Sequence, residues 1–218
     1  LTGDRFLRGI IIPGGLSKDI DNDALAHAVI ALDTIEKDFQ KVLDVAYRSD
    51  GLMERFESTG VLTKEAALAY GAQGVAARAA GVNRDARRDH PYAAYGILPC
   101  EVAIEQNGDV RARVDLRVHE LKESFALVCN IAKNIPTGAV SVPMTMRAGS
   151  GLGWAEAWRG EILDWVNLDE HGVIVRCVIR DPSFCNWPLF GEMGPGNIVP
   201  DFPLINKSLN LSYSGTDL

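Results

Sequence analysis

The sequence predicts an α+β fold, predominantly helical, as one continuous unit over residues 1–218. Three observations predict it. Two stretches, residues 22–49 and 109–134, carry apolar residues at spacings of three and four, the pattern of long amphipathic helices. Two apolar runs flank Asp169-Glu170-His171-Gly172 and predict a C-terminal β-hairpin. After them, residues 181–218 are interrupted repeatedly by glycine and proline, which predicts an irregular tail.

The elements follow in chain order. Residues 1–15 are short and apolar and end in the turn Pro13-Gly14-Gly15. Asp19, Asp21 and Asn22 offer N-caps for the first long helix, whose stripe is Leu25, Val29, Leu32, Ile35, Phe39, Val42 and Val45. Ser49-Asp50-Gly51 breaks it, and Leu52–Phe56 reads as a short helix. Thr63 caps another, Lys64–Tyr70, which Gly71 stops. Pro99–Gln106 alternates apolar and polar residues and predicts a strand. The second long helix, with Val114, Val118, Leu121, Phe125 and Val128 on one stripe, ends at Pro136-Thr137-Gly138. Residues 141–153, rich in Gly, Ser and Pro, predict a loop, and residues 157–168 and 172–180 the two strands of the hairpin. In the tail, Phe184, Trp187, Phe190, Phe202 and Tyr213 are expected to be buried.

Composition sets limits on function. Apolar residues make up 47% and charged residues 23%, an ordinary globular balance. A net charge of −7 gives no reason to expect nucleic acid. Arg84, Arg87 and Arg88 alternate with Asp85 and Asp89, so a solvated, self-paired loop is expected there. Cys100, Cys129, Cys177 and Cys185 lie far apart with no C-x-x-C pair, which predicts buried reduced thiols rather than a zinc or iron–sulfur site. No apolar run approaches the ~18 residues of a membrane span, and no signal peptide is read. The chain starts at Leu1 without Met, and a fragment lacking its true N-terminal part is expected.

The usual hydrolase and nucleotide motifs are missing. The histidines fall on different elements, with no H-x-x-x-H. Gly149-Ser150-Gly151-Leu152-Gly153 lacks the following Lys-Ser/Thr of a phosphate loop. Arg113, Arg117 and Glu120 share one face of the second long helix and, if buried, would form an ion-pair array.

Several short motifs occur in an order that resembles a known family. They are Thr2-Gly3-x-Arg5, Gly60-Val61-Leu62-Thr63-x-Glu65, Arg78-Ala79-x-Gly81-Val82-x-x-Asp85-x-Arg87, Gly108-Asp109-x-x-x-Arg113-x-x-x-Arg117-Val118-x-Glu120, Arg159-Gly160-Glu161 and Asp181-Pro182-Ser183-Phe184. Together they resemble the C-terminal portion of the nickel–iron hydrogenase large subunit and its relative, the catalytic subunit of respiratory complex I. The tail from Asn197 to Tyr213 looks most like metal-free, hydrogenase-4-type or formate-hydrogenlyase-like relatives. The turn Asp181-Pro182-Ser183-Phe184-Cys185-Asn186 resembles the family's Asp-Pro-Cys-x-x-Cys metal signature, with Ser183 and Asn186 in place of the thiolates that hold nickel.

The resemblance implies a subunit of a membrane-associated electron-transfer complex, of the NADH:quinone oxidoreductase or formate-hydrogenlyase type. It would be cytoplasmic and peripheral to the inner membrane, beside an iron–sulfur small subunit and near membrane subunits. It implies Arg159 and Asp181 as pocket residues, no metal in this chain, an iron–sulfur cluster in the partner and a quinone as acceptor. Trp158 stands where the hydrogenase pattern has proline, and its indole would fill the vacated metal pocket. The alternative is a purely structural docking subunit with a filled former active site, where Arg159 and Asp181 pair.

Overall fold

A computed structural model of the chain describes residues 2–3 and 6–217. Arg5 of the first family motif lies outside the described residues. A small antiparallel pair, β1 (Ile11–Ile12) and β2 (Gly15–Leu16), precedes the first long helix, α1 (Asn22–Tyr47). Of the three cap candidates Asp21 is the one used, its carboxylate accepting from Ala24 N at 2.7 Å. Next come α2 (Asp50–Phe56), α3 (Lys64–Ala69), α4 (Gly74–Ala79), α5 (Ala86–Asp89) and the second long helix α6 (Val110–Lys133). Thr63 caps α3 and Asp109 caps α6, both through the side chain.

The predicted strand at Pro99–Gln106 does not form. That segment has no partner strand among the described residues, and two of its N–H groups go elsewhere: Glu105 N to the Arg78 carbonyl at the end of α4, Glu101 N to the Glu123 carboxylate. Alternation measures one buried face and not the presence of a neighbouring strand.

The hairpin is a three-stranded antiparallel meander, β3 (Gly149–Ala157), β4 (Gly160–Leu168) and β5 (Ile174–Arg180). The residues expected as a loop at 149–153 are the first half of β3 and pair with Asp164–Leu168. Gly149, Gly151 and Gly153 obey the period of two, so all three fall on one face while Ser150, Leu152 and Trp154 take the other. The run 157–168 is not one strand, because Trp158 and Arg159 form the two-residue turn between β3 and β4.

The tail is mostly helical and not irregular: α7 (Pro182–Asn186), a 3-10 turn at Trp187–Leu189, α8 (Phe190–Met193), α9 (Asp201–Leu209) and a last 3-10 turn at Ser214–Thr216. Its aromatics are less buried than expected. Trp187 stacks on Phe190 at 5.3 Å and lies against Tyr213 at 5.1 Å, but Phe184, Phe202 and Tyr213 are exposed.

One apolar core joins α3, α4, α6, α8 and α9, with Leu62, Ala76, Val110, Leu189, Met193 and Ile205 at its centre. All six residues of α4 are buried, and four are alanine or glycine, so neighbouring backbones come close. At Gly74 (φ +57°) a Cβ would run into the Arg159 carbonyl, and at Gly160 (φ +137°) it would lie 2.8 Å from the Gln73 Cβ. This backbone contact seats the Trp158-Arg159 turn on the start of α4. By contrast α1 buries only Leu43 and leaves Ile30, Ile35, Val42 and Val45 exposed. Among the described residues, no helix is long and apolar enough to cross a membrane.

Candidate functional site

The densest chemistry lies where α4, the residues before α5, α6 and β3 converge. Arg78, on the buried helix α4, is 2% exposed in its side chain and faces three carboxylates. Its guanidinium is 2.7 Å from Glu120 Oε1 on α6, 2.8 Å from Glu156 Oε1 on β3 and 3.2 Å from Asp85 Oδ2, and it donates to the Arg84 carbonyl. Arg87 grips Asp85 with two donors, at 2.9 and 2.6 Å. Glu156 Oε2 accepts from Ala86 N, and the Tyr92 hydroxyl accepts from Glu156 N. The arginine-rich stretch is therefore self-paired as expected at Arg87–Asp85 and Arg88–Asp89, but the first of these pairs is buried, not solvated.

The electrostatics follow from this packing. Burial works against the Asp85 charge, yet the Arg87 hydrogen bond and the charges of Arg78 and Arg87 outweigh it and hold its pKa below the ordinary carboxylate value. At Glu156 burial dominates over Arg78, and the pKa rises. Burial also opposes the Arg78 charge, but the carboxylates around it more than compensate.

Above this cluster opens a cavity of about 240 Å³. Arg78, Arg87 and Glu156 form part of its wall, with Arg117, Glu120 and Ser124 of α6 and Trp158 of the β3–β4 turn. Trp158 is 54% exposed, so its ring forms an edge of the cavity and does not fill the interior. The guanidinium carbons of Arg117 and Arg159 stand 5.0 and 5.3 Å from its centroid.

Arg113, Arg117 and Glu120 are brought close but do not pair with one another. Arg113 is fully buried and donates to the Gly108 carbonyl (2.7 Å), the Gly60 carbonyl (3.0 Å) and Ser208 Oγ (2.8 Å). Burial pushes its pKa down to about 9. Arg117 donates to the carbonyls of Ser208 and Leu209, and burial pushes it down to about 10, with Glu120 opposing the fall. The expected ion-pair array is instead a set of arginine clamps on backbone oxygens, and Glu120 serves Arg78.

Arg159 and Asp181 occupy different places. Arg159 donates its Nε–H to the Asn210 carbonyl. Asp181 caps α7, accepting from Ser183 N at 2.7 Å, and lines a separate hollow of about 190 Å³ with Phe184 and Thr216. No ion pair joins the two among the described residues. Ser183 is fully buried and its hydroxyl accepts from Ser212 N at 3.0 Å. Asn186 mimics a backbone partner, accepting from Gln73 N at 2.9 Å and donating to Gln73 O at 3.2 Å. Replacing Asn186 by Ala is expected to strand the buried Gln73 N–H and cost roughly 2 kcal/mol, read as a lower urea midpoint of the intact subunit with an unchanged m-value.

No group of three or more His, Cys, Asp or Glu placed to hold a metal ion gathers among the described residues, and Ser183 and Asn186 are occupied by backbone groups. All four cysteines are free, and only Cys100 is buried, so the expectation of buried thiols fails at exposed Cys177. Sequence reasoning missed Arg78, Asp85 and Glu156 as site residues. Arg78 and Asp85 stand in one of the family motifs, but nothing in their spacing signals that Glu156, a strand residue 78 positions on, closes the cluster.

Formate hydrogenlyase subunit 5 of Escherichia coli K12 is 32% identical over 219 residues, covering 100% of this chain and 38% of that protein. An NADH-quinone oxidoreductase subunit of Chloroherpeton thalassium is 29% identical, covering 96% of this chain and 54% of that protein. A solved structure from the membrane-bound sulfane sulfur reductase, an archaeal respiratory membrane complex, superposes with a TM-score of 0.88 at 26% identity, over 95% of this chain and 59% of its own. The chain thus spans between about two fifths and three fifths of the length of these relatives. The profile of one family matches residues 1–147 and 141–218, and the chain belongs to it: the 49 Kd subunit of the respiratory-chain NADH dehydrogenase.

Proposed function

We propose that this chain is part of the large subunit of a membrane-associated electron-transfer complex, and that it contributes a polar cavity on the acceptor side without a metal of its own. The relatives bear the names of subunits of such complexes. In this reading the electrons come from an iron–sulfur partner subunit, and the acceptor is a quinone whose polar head enters the cavity. Exposed apolar surface supports a life in an assembly: the register sets Leu152, Trp165 and Val178 in one row across the sheet, with Leu152 and Val178 exposed.

The observation that carries the cavity reading is the 240 Å³ space between the Arg78 cluster and Arg117, edged by Trp158. Its wall offers guanidinium donors for a carbonyl oxygen, carboxylates for protons and an indole face for a ring. Ser124 sits at the exposed edge, its hydroxyl donating to the Glu120 carbonyl at 2.7 Å and its side chain in none of the ion pairs of the cluster. Ser124→Trp is expected to fill the space and lower quinone-linked turnover of the assembled complex at least ~10-fold, about 1.4 kcal/mol in the barrier. Reduction of an artificial acceptor directly at the iron–sulfur partner is expected to be unchanged. Full quinone-linked turnover in Ser124→Trp, with the complex assembled, refutes the reading.

A further inference from the structure

The contact cluster at the cavity floor is not charge-balanced when fully ionised. Among the described residues, Asp85, Glu120 and Glu156 face only Arg78 and Arg87 within ion-pair distance, an excess of one negative charge. The side chains of Arg78, Asp85 and Glu156 are 2%, 0% and 5% exposed, so water screens that excess poorly. Arg117, three residues before Glu120 on α6, lines the same cavity beyond ion-pair distance of the three carboxylates and is held by backbone carbonyls.

The three carboxylates are not equivalent. Asp85 receives both donors of Arg87, the Arg87 N–H and a contact from Arg78. Glu120 receives two donors of Arg78 and is 18% exposed. Glu156 has one donor on each oxygen, Arg78 Nη1 and the neutral Ala86 N–H, and is nearly buried. It is the carboxylate with the weakest ionic support, and it lies in the cavity wall.

We infer that Glu156 is a proton-holding site that exchanges its proton with the cavity. Uptake forms one O–H bond on the Glu156 carboxylate and brings the five-group cluster to neutrality; release breaks that bond and returns the proton to the cavity. The facing groups set the balance: Arg78 from α4, Asp85 and the Ala86 N–H with Arg87 at α5, Tyr92 beyond α5, Glu120 and Arg117 from α6, and Glu161, the cross-strand partner of Glu156 on β4. The direction of the Glu156 pKa shift agrees, since burial raises it. A group whose folded pKa is raised adds stability below its unfolded pKa, and that stability is lost as pH rises through the folded value. The site holds its proton whether or not a quinone enters, so it stands or falls separately from the acceptor reading.

Infrared titration of the intact subunit tests it. A carboxylic-acid C=O band is expected at neutral pH, absent in Glu156→Gln and retained in Glu170→Gln, which alters only an exposed carboxylate at the β4–β5 turn. Should Glu156→Gln fail to fold, Glu156→Asp keeps a carboxyl and is expected to shift the band. Absence of any such band at neutral pH, or a band unmoved by both Glu156 variants, overturns the proposal. Turnover of Ser124→Trp reports on the acceptor cavity alone and leaves this result untouched.

Discussion

Replacing Arg78 by methionine is expected to cost about 3–5 kcal/mol at neutral pH, enough to unfold a domain of ordinary stability. Methionine fits the buried volume, so the effect isolates the charge. Three carboxylates lose the guanidinium that holds them at 2.7–3.2 Å, and Asp85 and Glu156 have almost no access to water. The pH dependence distinguishes this from simple loss of packing. In the wild type the lowered folded pKa of Asp85 contributes stability above its unfolded value and loses it as pH falls through the folded one. Without Arg78 that contribution shrinks, so the gap between variant and wild type is expected to narrow as pH falls below 4 (roughly the carboxylate range). Urea denaturation of the intact subunit at neutral and acid pH measures both. A constant gap across pH would assign the loss to packing.

Arg113→Ala is expected to be as damaging for a different reason. Arg113 has no carboxylate within ion-pair distance among the described residues; its guanidinium joins three chain segments through the Gly60 and Gly108 carbonyls and Ser208 Oγ. Removal takes the guanidinium donor from the Gly60 carbonyl, leaves the Gly108 carbonyl with only the Leu62 N–H, and opens a cavity, together about 3–5 kcal/mol. Arg113→Lys is expected to recover little, because an ammonium cannot reach three acceptors in the fixed directions of the guanidinium fork. Thermal unfolding of the intact subunit with each variant gives the comparison. Wild-type stability in Arg113→Lys would show that charge alone suffices.

The long helices are legible because their signals are local. Leu25 to Val45 and Val114 to Val128 repeat at helical spacing, and Asp21 and Asp109 mark their starts. Where structure depends on pairing, the sequence is less informative. Gly149 to Gly153 looks like loop by composition and becomes strand because Asp164–Leu168 offers it a partner, whereas Pro99–Gln106 looks like strand and finds none. The site shows the same division. Arg117, Glu120 and Trp158 are candidates by sequence and do meet at one cavity, but Arg78 and Asp85, neighbours in one motif, are joined by Glu156 from a strand 78 positions beyond Arg78, which only the tertiary fold brings to them. Asp181 carries the resemblance to a metal turn, and its carboxylate caps a helix of five residues.

Gly74 and Gly160 meet backbone to backbone, with no side chains between them to rotate or yield. The contact therefore acts as a rigid strut between the β3–β4 turn and α4. A neighbour that pushes on the exposed sheet cannot displace Trp158 and Arg159 alone; it must carry the start of α4, and with it Arg78, in the same movement. Mechanical load on one surface of the protein is thereby geared to the position of the buried charges.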